Sequence, residues 1–275
     1  MSSLFRCPIC AAPLMRGERA YTCPAGHSYD LSAEGYTYLL PANQKHSKNP
    51  GDDKQMVAAR CAFLDKGYYV PLRNTLTDLA VELTRDIDLP TLLDSGCGEG
   101  YYTAGLAEAV PHARLAGIDI SKFALRRAAK KVPGGEFAVA SAYRLPVMDN
   151  SIHLLYNIFS PLSAEEFARV LTDGGYFVYV VPSERHLWQM KEVLYDNPYE
   201  NPVKREDYPG FTWQQVVPLR YTVTLNDSTD IMSLVSMTPY AWKTPKEGVE
   251  RLSRLSRLET EIGFDIHVYK KSSAD

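Results

Sequence analysis

The sequence predicts an α/β protein with a doubly wound, mostly parallel sheet, an antiparallel edge and a small metal-stapled module in front of it. Three observations carry that prediction. Short apolar runs alternate with helical patterns from about residue 86 onward, which is how parallel sheets with crossover helices read. A glycine-rich turn, Asp94-Ser95-Gly96-Cys97-Gly98-Glu99-Gly100, joins the first of those runs to a helix. Three cysteines and a histidine stand close together before residue 28, in a stretch with little helical periodicity.

The 275 residues suit one large α/β domain plus an appendage. With 45% apolar and 23% charged residues the composition is globular. No apolar run approaches the roughly 18–20 residues that cross a bilayer. Met1 to Cys7 lacks a basic segment followed by an apolar one, so the expectation is a cytoplasmic protein with no membrane partner. The net charge of −3 gives no general attraction to nucleic acid, and any RNA partner has to be met by a local patch.

Three segments are expected: a zinc-binding module over 1–38, a linker and helical segment over 39–85, and the α/β domain over 86–275. The first has too little apolar sequence for a core of its own and needs a staple. Pro41 to Asp53 reads as a loop. A helix is predicted from Lys54 to a break at Gly67, and another over Val70–Arg85 with Leu72, Leu76, Leu79, Ala80 and Leu83 on one face.

Thr91–Asp94 is then a buried strand, followed by the glycine turn and a helix over Tyr102–Val110. Leu115–Asp119 is the next strand, and Ser121 caps a helix reaching about Val132. Glu136–Ala140, Ile152–Ile158 and Tyr176–Val181 are further strands, with a helix over Ala164–Leu171. The tail reads as a helix near Arg185–Tyr195, a strand near Val216–Leu225, a helix near Thr244–Leu258 and a final strand near Asp265–Tyr269. The two late strands would form the antiparallel edge.

The glycine turn is the most informative segment. Its spacing is Gly-x-Gly-x-Gly; a dinucleotide fingerprint would need glycine where Tyr101 stands, so NAD is disfavoured. Small residues at Gly96, Gly98 and Gly100 let the backbone approach a ligand closely. Nineteen residues past Gly100, Asp119 ends the second strand, where a carboxylate can accept from ribose hydroxyls. Ser141-Ala142 after the third strand is placed to flank an adenine, and Asp94 to orient the glycine loop and a charged amino-acid moiety. In this order the elements resemble the class I (Rossmann-like) S-adenosylmethionine methyltransferases, whose sheet has seven strands. His153 and Asp173 depart from that pattern, where aspartate and proline are common.

Cys7-x2-Cys10, twelve residues, then Cys23-x3-His27 gives four ligands on two short knuckles. In a cytosolic chain such spacing reads as metal binding, and a closed Cys3His set predicts structural zinc that supplies folding energy. Cys61 and Cys97 are read as a buried small residue and a turn residue.

Zinc module and class I domain together resemble the bacterial 23S rRNA guanine-N1 methyltransferases nearly end to end. The likeness includes Glu34-Gly35-Tyr36, Asn49-Pro50-Gly51-Asp52, Gly67-Tyr68-Tyr69, Gly98 to Thr103, Arg185-His186-Leu187 and Met237-Thr238-Pro239-Tyr240-Ala241-Trp242. The resemblance implies zinc on Cys7, Cys10, Cys23 and His27, and cofactor contacts from Tyr69, Gly98, Glu99 and His186. It also implies a 23S rRNA hairpin as partner, gripped in part by the zinc module, and a homodimer sharing one RNA. Without it, Tyr69 reads as a helix-capping aromatic and His186 as a surface histidine.

Arg251, Arg254 and Arg257 read as a solvated helix stripe opposite Leu252, Leu255 and Leu258; Lys45, His46 and Lys48 are the better RNA candidates. Guanine N1 is protonated and lies on the Watson–Crick edge, so the base has to be unpaired to react. At the end of the fourth strand, Asn157 or Ser160 is expected to hydrogen-bond the base and Phe159 to stack on it. No carboxylate in Asn157–Pro161 offers itself as general base. The α/β domain alone also suits a small-molecule methyltransferase with an unrelated zinc knuckle, or a cofactor-binding protein without activity.

Overall fold

In the computed structural model, residues 2–44, 50–202, 205–238, 240 and 244–272 are described. Lys45, His46, Lys48, Asn49, Pro239, Ala241 and Trp242 lie outside them.

Strands β1 (Ser2–Arg6), β2 (Pro13–Arg16), β3 (Ala20–Thr22) and β4 (Ser28–Asp30) form a four-stranded antiparallel sheet in sequential order. The next strand, β5 (Tyr36–Tyr38), leaves that sheet and pairs in parallel with β8 (Glu136–Val139). The main sheet therefore has an eighth strand ahead of the seven expected, and it starts two residues before the expected module boundary.

The other strands of the main sheet are β6 (Thr91–Ser95), β7 (Arg114–Asp119), β9 (Ile152–Ile158), β10 (Leu171–Pro182), β11 (Phe211–Leu225) and β12 (Leu258–Lys271). Their order is β11-β12-β10-β9-β6-β7-β8-β5. Neighbours from β5 to β10 are parallel, and β12 runs antiparallel to both β10 and β11. Every residue of β6 is buried, as a central strand covered on both faces should be.

One face is covered by α1 (Lys54–Asp65), α2 (Val70–Thr84), α3 (Tyr101–Ala109), α4 (Lys122–Lys131), α6 (Trp188–Leu194), α7 (Ser228–Ser236) and α8 (Lys246–Ser253). Asp53 caps α1 by accepting from the Gln55 and Met56 amides at 2.7 and 2.9 Å, and Ser121 caps α4. The other face carries α5 (Ala164–Val170) and the four-stranded module: Leu4, Phe5, Leu14 and Tyr21 are buried against Ala116, Ile118, Ala138, Leu145 and Val147. Glu136 is the polar joint between module and sheet. Its buried carboxylate accepts from Ser3 Oγ, from the Leu4 amide at 3.1 Å and from Arg114 at 3.3 Å. None of the helices among the described residues is long and apolar enough to cross a membrane.

The tail differs from its sequence pattern. The helix expected to reach Leu258 stops at Ser253, and Leu258 opens the 14-residue β12. Arg257 is therefore off the helix. Arg251 is exposed as expected, and it also donates to the Val193 and Leu194 carbonyls at the end of α6. Those carbonyls lack intrahelical partners, which is why a guanidinium is held there. β11 and β12 pair as far as Leu225↔Leu258, while β10 ends at Pro182↔Phe264. The last turns of this ribbon thus project beyond the C-terminal rim of the sheet.

Candidate active site and metal centre

Five loops meet at the C-terminal rim of the parallel strands. After β6, Gly96, Gly98 and Gly100 take φ of +87°, +55° and +81°, a region favourable only to glycine over a whole turn. The Gly96 and Cys97 amides donate to the Ile118 carbonyl at 2.8 and 2.9 Å, tying the turn to β7. A side chain on Gly96 would collide with Ser160, and one on Gly100 would lie 2.8 Å from the Ala128 backbone. Gly98 is different: its nearest neighbour would be an Arg60 nitrogen at 3.9 Å. The turn packs tightly at both ends and leaves its middle open.

Asp94 is buried under this turn. Thr103 donates to its Oδ2 at 2.6 Å, while Oδ1 has no partner among the described residues. Burial raises its carboxyl to about 7, against the lowering effect of the Thr103 bond. Asp119 closes the turn from β7: its Oδ2 accepts from the Gly98 amide at 2.9 Å and its Oδ1 from the Ser121 amide at 2.7 Å. Burial raises Asp119 to about 6 although both amides stabilise its charge.

Arg60 pairs with Asp52 and sits in the field of Glu99 and Asp119. The linker passes here because Gly51, at φ +75°, lies against Ile120 and Ser121, and Ser121 Oγ donates to the Asp52 carbonyl at 2.6 Å. Glu99 is buried, and Ser141 and Ala142 are half-buried at the end of β8.

The end of β9 and the loop after it place Asn157 and Ser160 together. Asn157 Nδ2 donates to Ser160 Oγ at 2.7 Å and to the Pro161 carbonyl at 3.0 Å, and Ser160 Oγ donates to the Ser95 carbonyl at 2.5 Å. Both residues thus build the turn against β6, and the atom of theirs left without a partner among the described residues is the buried Asn157 Oδ1, an acceptor. Phe159 between them has φ +54° and is 49% exposed, unusual on both counts for a large apolar residue.

The Phe159 ring is 5.2 Å from Phe264. Tyr69 and His186 also pack on Phe264, at 5.3 and 4.7 Å, so these three residues from distant segments meet on one ring of β12. His186 Nδ1 accepts from the Gly263 amide at 3.3 Å, which leaves the proton of the neutral ring on Nε2. Burial holds this imidazole down at about 3. Tyr69 is buried at the N-cap of α2 with no side-chain capping bond, and burial pushes its hydroxyl upward. Sequence reasoning missed Phe264 and Arg60. Phe264 lay just outside the expected last strand, and Arg60 lay within the predicted helix from Lys54 with no role attached to it.

The metal cluster forms at the far end of the small sheet. One ligand atom from each of Cys7, Cys10, Cys23 and His27 lies within 4.8 Å of the others. Cys10 and Cys23 sulfurs are 3.7 Å apart, and His27 Nδ1 is 3.3 Å from Cys23 and 3.5 Å from Cys7. A tetrahedron with Zn–S bonds of 2.3 Å has sulfur–sulfur edges of about 3.8 Å, so the spacing fits a closed zinc site. Burial raises the Cys7 thiol, but the Tyr29 hydroxyl at 3.0 Å and nearby backbone amides bring it to about 6, favouring the thiolate a metal needs.

Residues 5–48 match the zinc-ribbon family described as "RlmA, N-terminal", and residues 92–175 match a methyltransferase domain family. The 23S rRNA (guanine(748)-N(1))-methyltransferase of Streptomyces fradiae is 33% identical over 91% of this chain and 90% of its own. Proteins of Micromonospora griseorubida (33% identical, 93% of this chain and 92% of theirs) and Bacillus subtilis (31%, 98% of both) bear the provisional name 23S rRNA (guanine-N(1)-)-methyltransferase. The chain belongs to the 23S rRNA (guanine-N1-)-methyltransferase family.

A solved structure, the YcgJ protein of Bacillus subtilis, resembles it with a TM-score of 0.49 and 16% identity over 72% of this chain and 98% of that one. S-Adenosylmethionine is the cofactor of this family member and zinc its structural metal. The rim suits a cationic cofactor: an unpartnered carboxylate oxygen on Asp94 lies beside a glycine turn whose middle is open.

Proposed function

We propose that this protein transfers the methyl group of S-adenosylmethionine to N1 of one unpaired guanine in a 23S rRNA hairpin. What supports this most is that the likeness to the rRNA-modifying relatives spans both the zinc ribbon and the methyltransferase domain, at 31–33% identity over at least nine-tenths of the chain. A small-molecule enzyme with an unrelated knuckle has no reason to keep both.

When bound, the cofactor supplies an electrophilic methyl group. In this reading Gly96, Gly98 and Gly100 give it backbone clearance, and Asp94 with its free oxygen faces its ammonium or sulfonium charge. Asp119, Glu99, Ser141 and Ala142 line its nucleoside side, and Tyr69 and His186 bound it against Phe264. Placing the nucleophile in line accounts for most of the rate. Asn157, completely buried, and Ser160 hold the turn rather than the base, and the half-exposed Phe159 stacks on the ring. The Nε2–H of neutral His186 and the open middle of the glycine turn stay on the cofactor side.

Cys7, Cys10, Cys23 and His27 carry the zinc, and their module, ending near residue 38, contributes to gripping the RNA. The segment over 39–85 lays its loop and helices against the cofactor side of the domain that runs from about residue 86 to the end. Two protomers share one hairpin, and the reaction takes place in the cytoplasm.

The test is methyl transfer from labelled S-adenosylmethionine to rRNA from a strain lacking the modification, mapped by primer extension. A single stop at one 23S guanine, absent with Gly98→Arg protein, is the expected result. Transfer to no RNA by protein that still binds the cofactor would send the search to small molecules.

A further inference from the structure

Beyond the C-terminal end of β10 lies an open cleft of about 630 Å³ between the Ser183–Arg185 turn and the projecting β11–β12 ribbon. Nothing assigned to methyl transfer above uses it. It is nevertheless joined to the site, since Gly263 in its floor donates its amide to His186 Nδ1.

The wall of the cleft is braced from within by a fully buried cation. Lys191 Nζ donates to the Tyr199 carbonyl at 2.9 Å and to Asn201 Oδ1 at 2.8 Å, and lies 5.0 and 5.7 Å from the Tyr199 and Tyr240 ring centres. Asn201 in turn donates from Nδ2 to the Ser183 carbonyl at 2.7 Å and from its amide to the Glu184 carbonyl at 2.8 Å. Burying an ammonium is costly, and this one fixes the backbone that carries Glu184 into the cleft.

Arg220 is pinned from the other side, donating to the Phe264 carbonyl at 2.5 Å and to Asp265 at 2.6 Å, and it stands 3.8 Å from Glu184. Nη1 also donates to the Leu219 carbonyl at 3.1 Å, so the donor left facing the half-exposed Glu184 carboxylate is the second hydrogen of Nη2. Arg185 lies 4.6 Å over the Trp188 ring and pairs with Glu261 at 2.8 Å.

Three glutamates, 184, 200 and 261, face two arginines, so the cleft is net acidic and repels phosphate. Such a lining favours a base edge rich in donors over a phosphate. The Watson–Crick edge of guanine presents O6, N1–H and the 2-amino group, one acceptor followed by two donors. Uracil places its one donor between two acceptors, and adenine and cytosine offer one amine beside acceptors.

We propose that this cleft binds a second unpaired guanine of the substrate RNA, with O6 toward Arg220 and the N1–H and 2-amino group toward Glu184 and Glu200. It is not the guanine that is methylated, because the carboxylates cover the edge to which N1 belongs. The inference rests on the rRNA reading and adds a sequence requirement to it.

The zinc-loaded full chain is titrated with guanosine, inosine, adenosine and cytidine while the Gly263 and Ser183 amide signals are followed by NMR. Guanosine should move both signals; inosine, which lacks the 2-amino group, should bind about tenfold more weakly. The E184Q/E200Q protein should lose the discrimination. On rRNA the same variant should raise KM about tenfold with kcat and cofactor affinity within about twofold of the parent. No shift with guanosine, equal shifts with all four nucleosides, or an unchanged KM on rRNA that the parent methylates would each overturn the subsite alone. A parent protein that methylates no rRNA would overturn the reading beneath it.

Discussion

Replacing Gly96 by alanine should destabilise the protein far more than replacing Gly98, although the two stand two residues apart in one turn. At Gly96 φ is +87°, and an added methyl group would overlap both Cβ and Oγ of Ser160. Ser160 has little freedom to yield, because its hydroxyl is held between the Ser95 carbonyl and the Asn157 amide. A left-handed non-glycine residue costs roughly 1–2 kcal/mol, and overpacking a closed site roughly 1–3 kcal/mol more, so Gly96→Ala should lose about 2–5 kcal/mol. Gly98, at φ +55°, lies within the narrow left-handed region open to other residues, and its methyl group would find only Arg60, at 3.9 Å. Gly98→Ala should therefore lose only about 1–2 kcal/mol. Its methyl group points into the open middle of the turn, so cofactor affinity should suffer instead. Urea unfolding with constant m gives the first quantity and calorimetric titration with S-adenosylhomocysteine the second. Equal losses of stability, or a Gly96→Ala protein within about 1 kcal/mol of the parent, would show that the β6 and β9 turns are not locked together as the structure has them.

The carboxyls of Asp94 and Asp119 are raised in the folded protein to about 7 and about 6 from an ordinary 3.8. The cofactor-free fold thus holds protons that the unfolded chain releases; their contribution to stability is full below pH 4 and is lost as pH rises to about 7. Binding of cationic S-adenosylmethionine should lower both carboxyls and expel protons near pH 6.5; a binding enthalpy independent of the buffer's own ionisation enthalpy would argue against this. Phe159→Gly removes a strained φ and an exposed ring, so stability should hold or rise slightly. RNA methylation should meanwhile fall roughly 5- to 100-fold, as loss of one base–aromatic stack implies; unchanged kcat/KM would remove Phe159 from the base site. Chelation of zinc, or Cys23→Ala, should lower the melting temperature of the whole chain rather than release a separate early transition, because Phe5, Leu14 and Tyr21 are completely buried against the main sheet. Differential scanning calorimetry distinguishes the two.

The alternation of apolar runs and helices was enough to read the parallel sheet from β6 to β10, because each buried strand is short and mostly apolar. The glycine turn and Asp119 were legible for the same reason, since their chemistry is local in sequence. What stayed hidden depends on contacts between distant segments. Tyr69 and His186 were tied to the cofactor by resemblance alone and Phe159 to the base by its place after the fourth strand; that all three pack on Phe264 was not legible, nor was the commitment of the Asn157 amide to Ser160 and Pro161. α8 was expected to run on to Leu258 because the leucine spacing of its last turns is helical. Pairing with β11 over Leu225↔Leu258 overrides that spacing.

The zinc ribbon was read as an appendage, and its position in the fold gives it a larger part. Between β8 and β9 the chain runs through residues 140–151 without a helix, although a crossover between parallel strands ordinarily supplies one to cover the sheet. Leu4 and Phe5 of the ribbon cover the Leu145–Val147 stretch in its place, with backbone bonds from Arg6 to Pro146 at 2.9 Å and from Met148 to Leu4 at 3.1 Å. Arg6 and Arg169 share Asp149, while Glu166 accepts from the Leu145 amide. The segment fixed in this way begins at Ser141 and Ala142, which are proposed above to line the nucleoside side of the cofactor. Ribbon and loop therefore form one packed layer, so on the proposal above loss of zinc should weaken S-adenosylmethionine binding although its four ligands all lie in the ribbon.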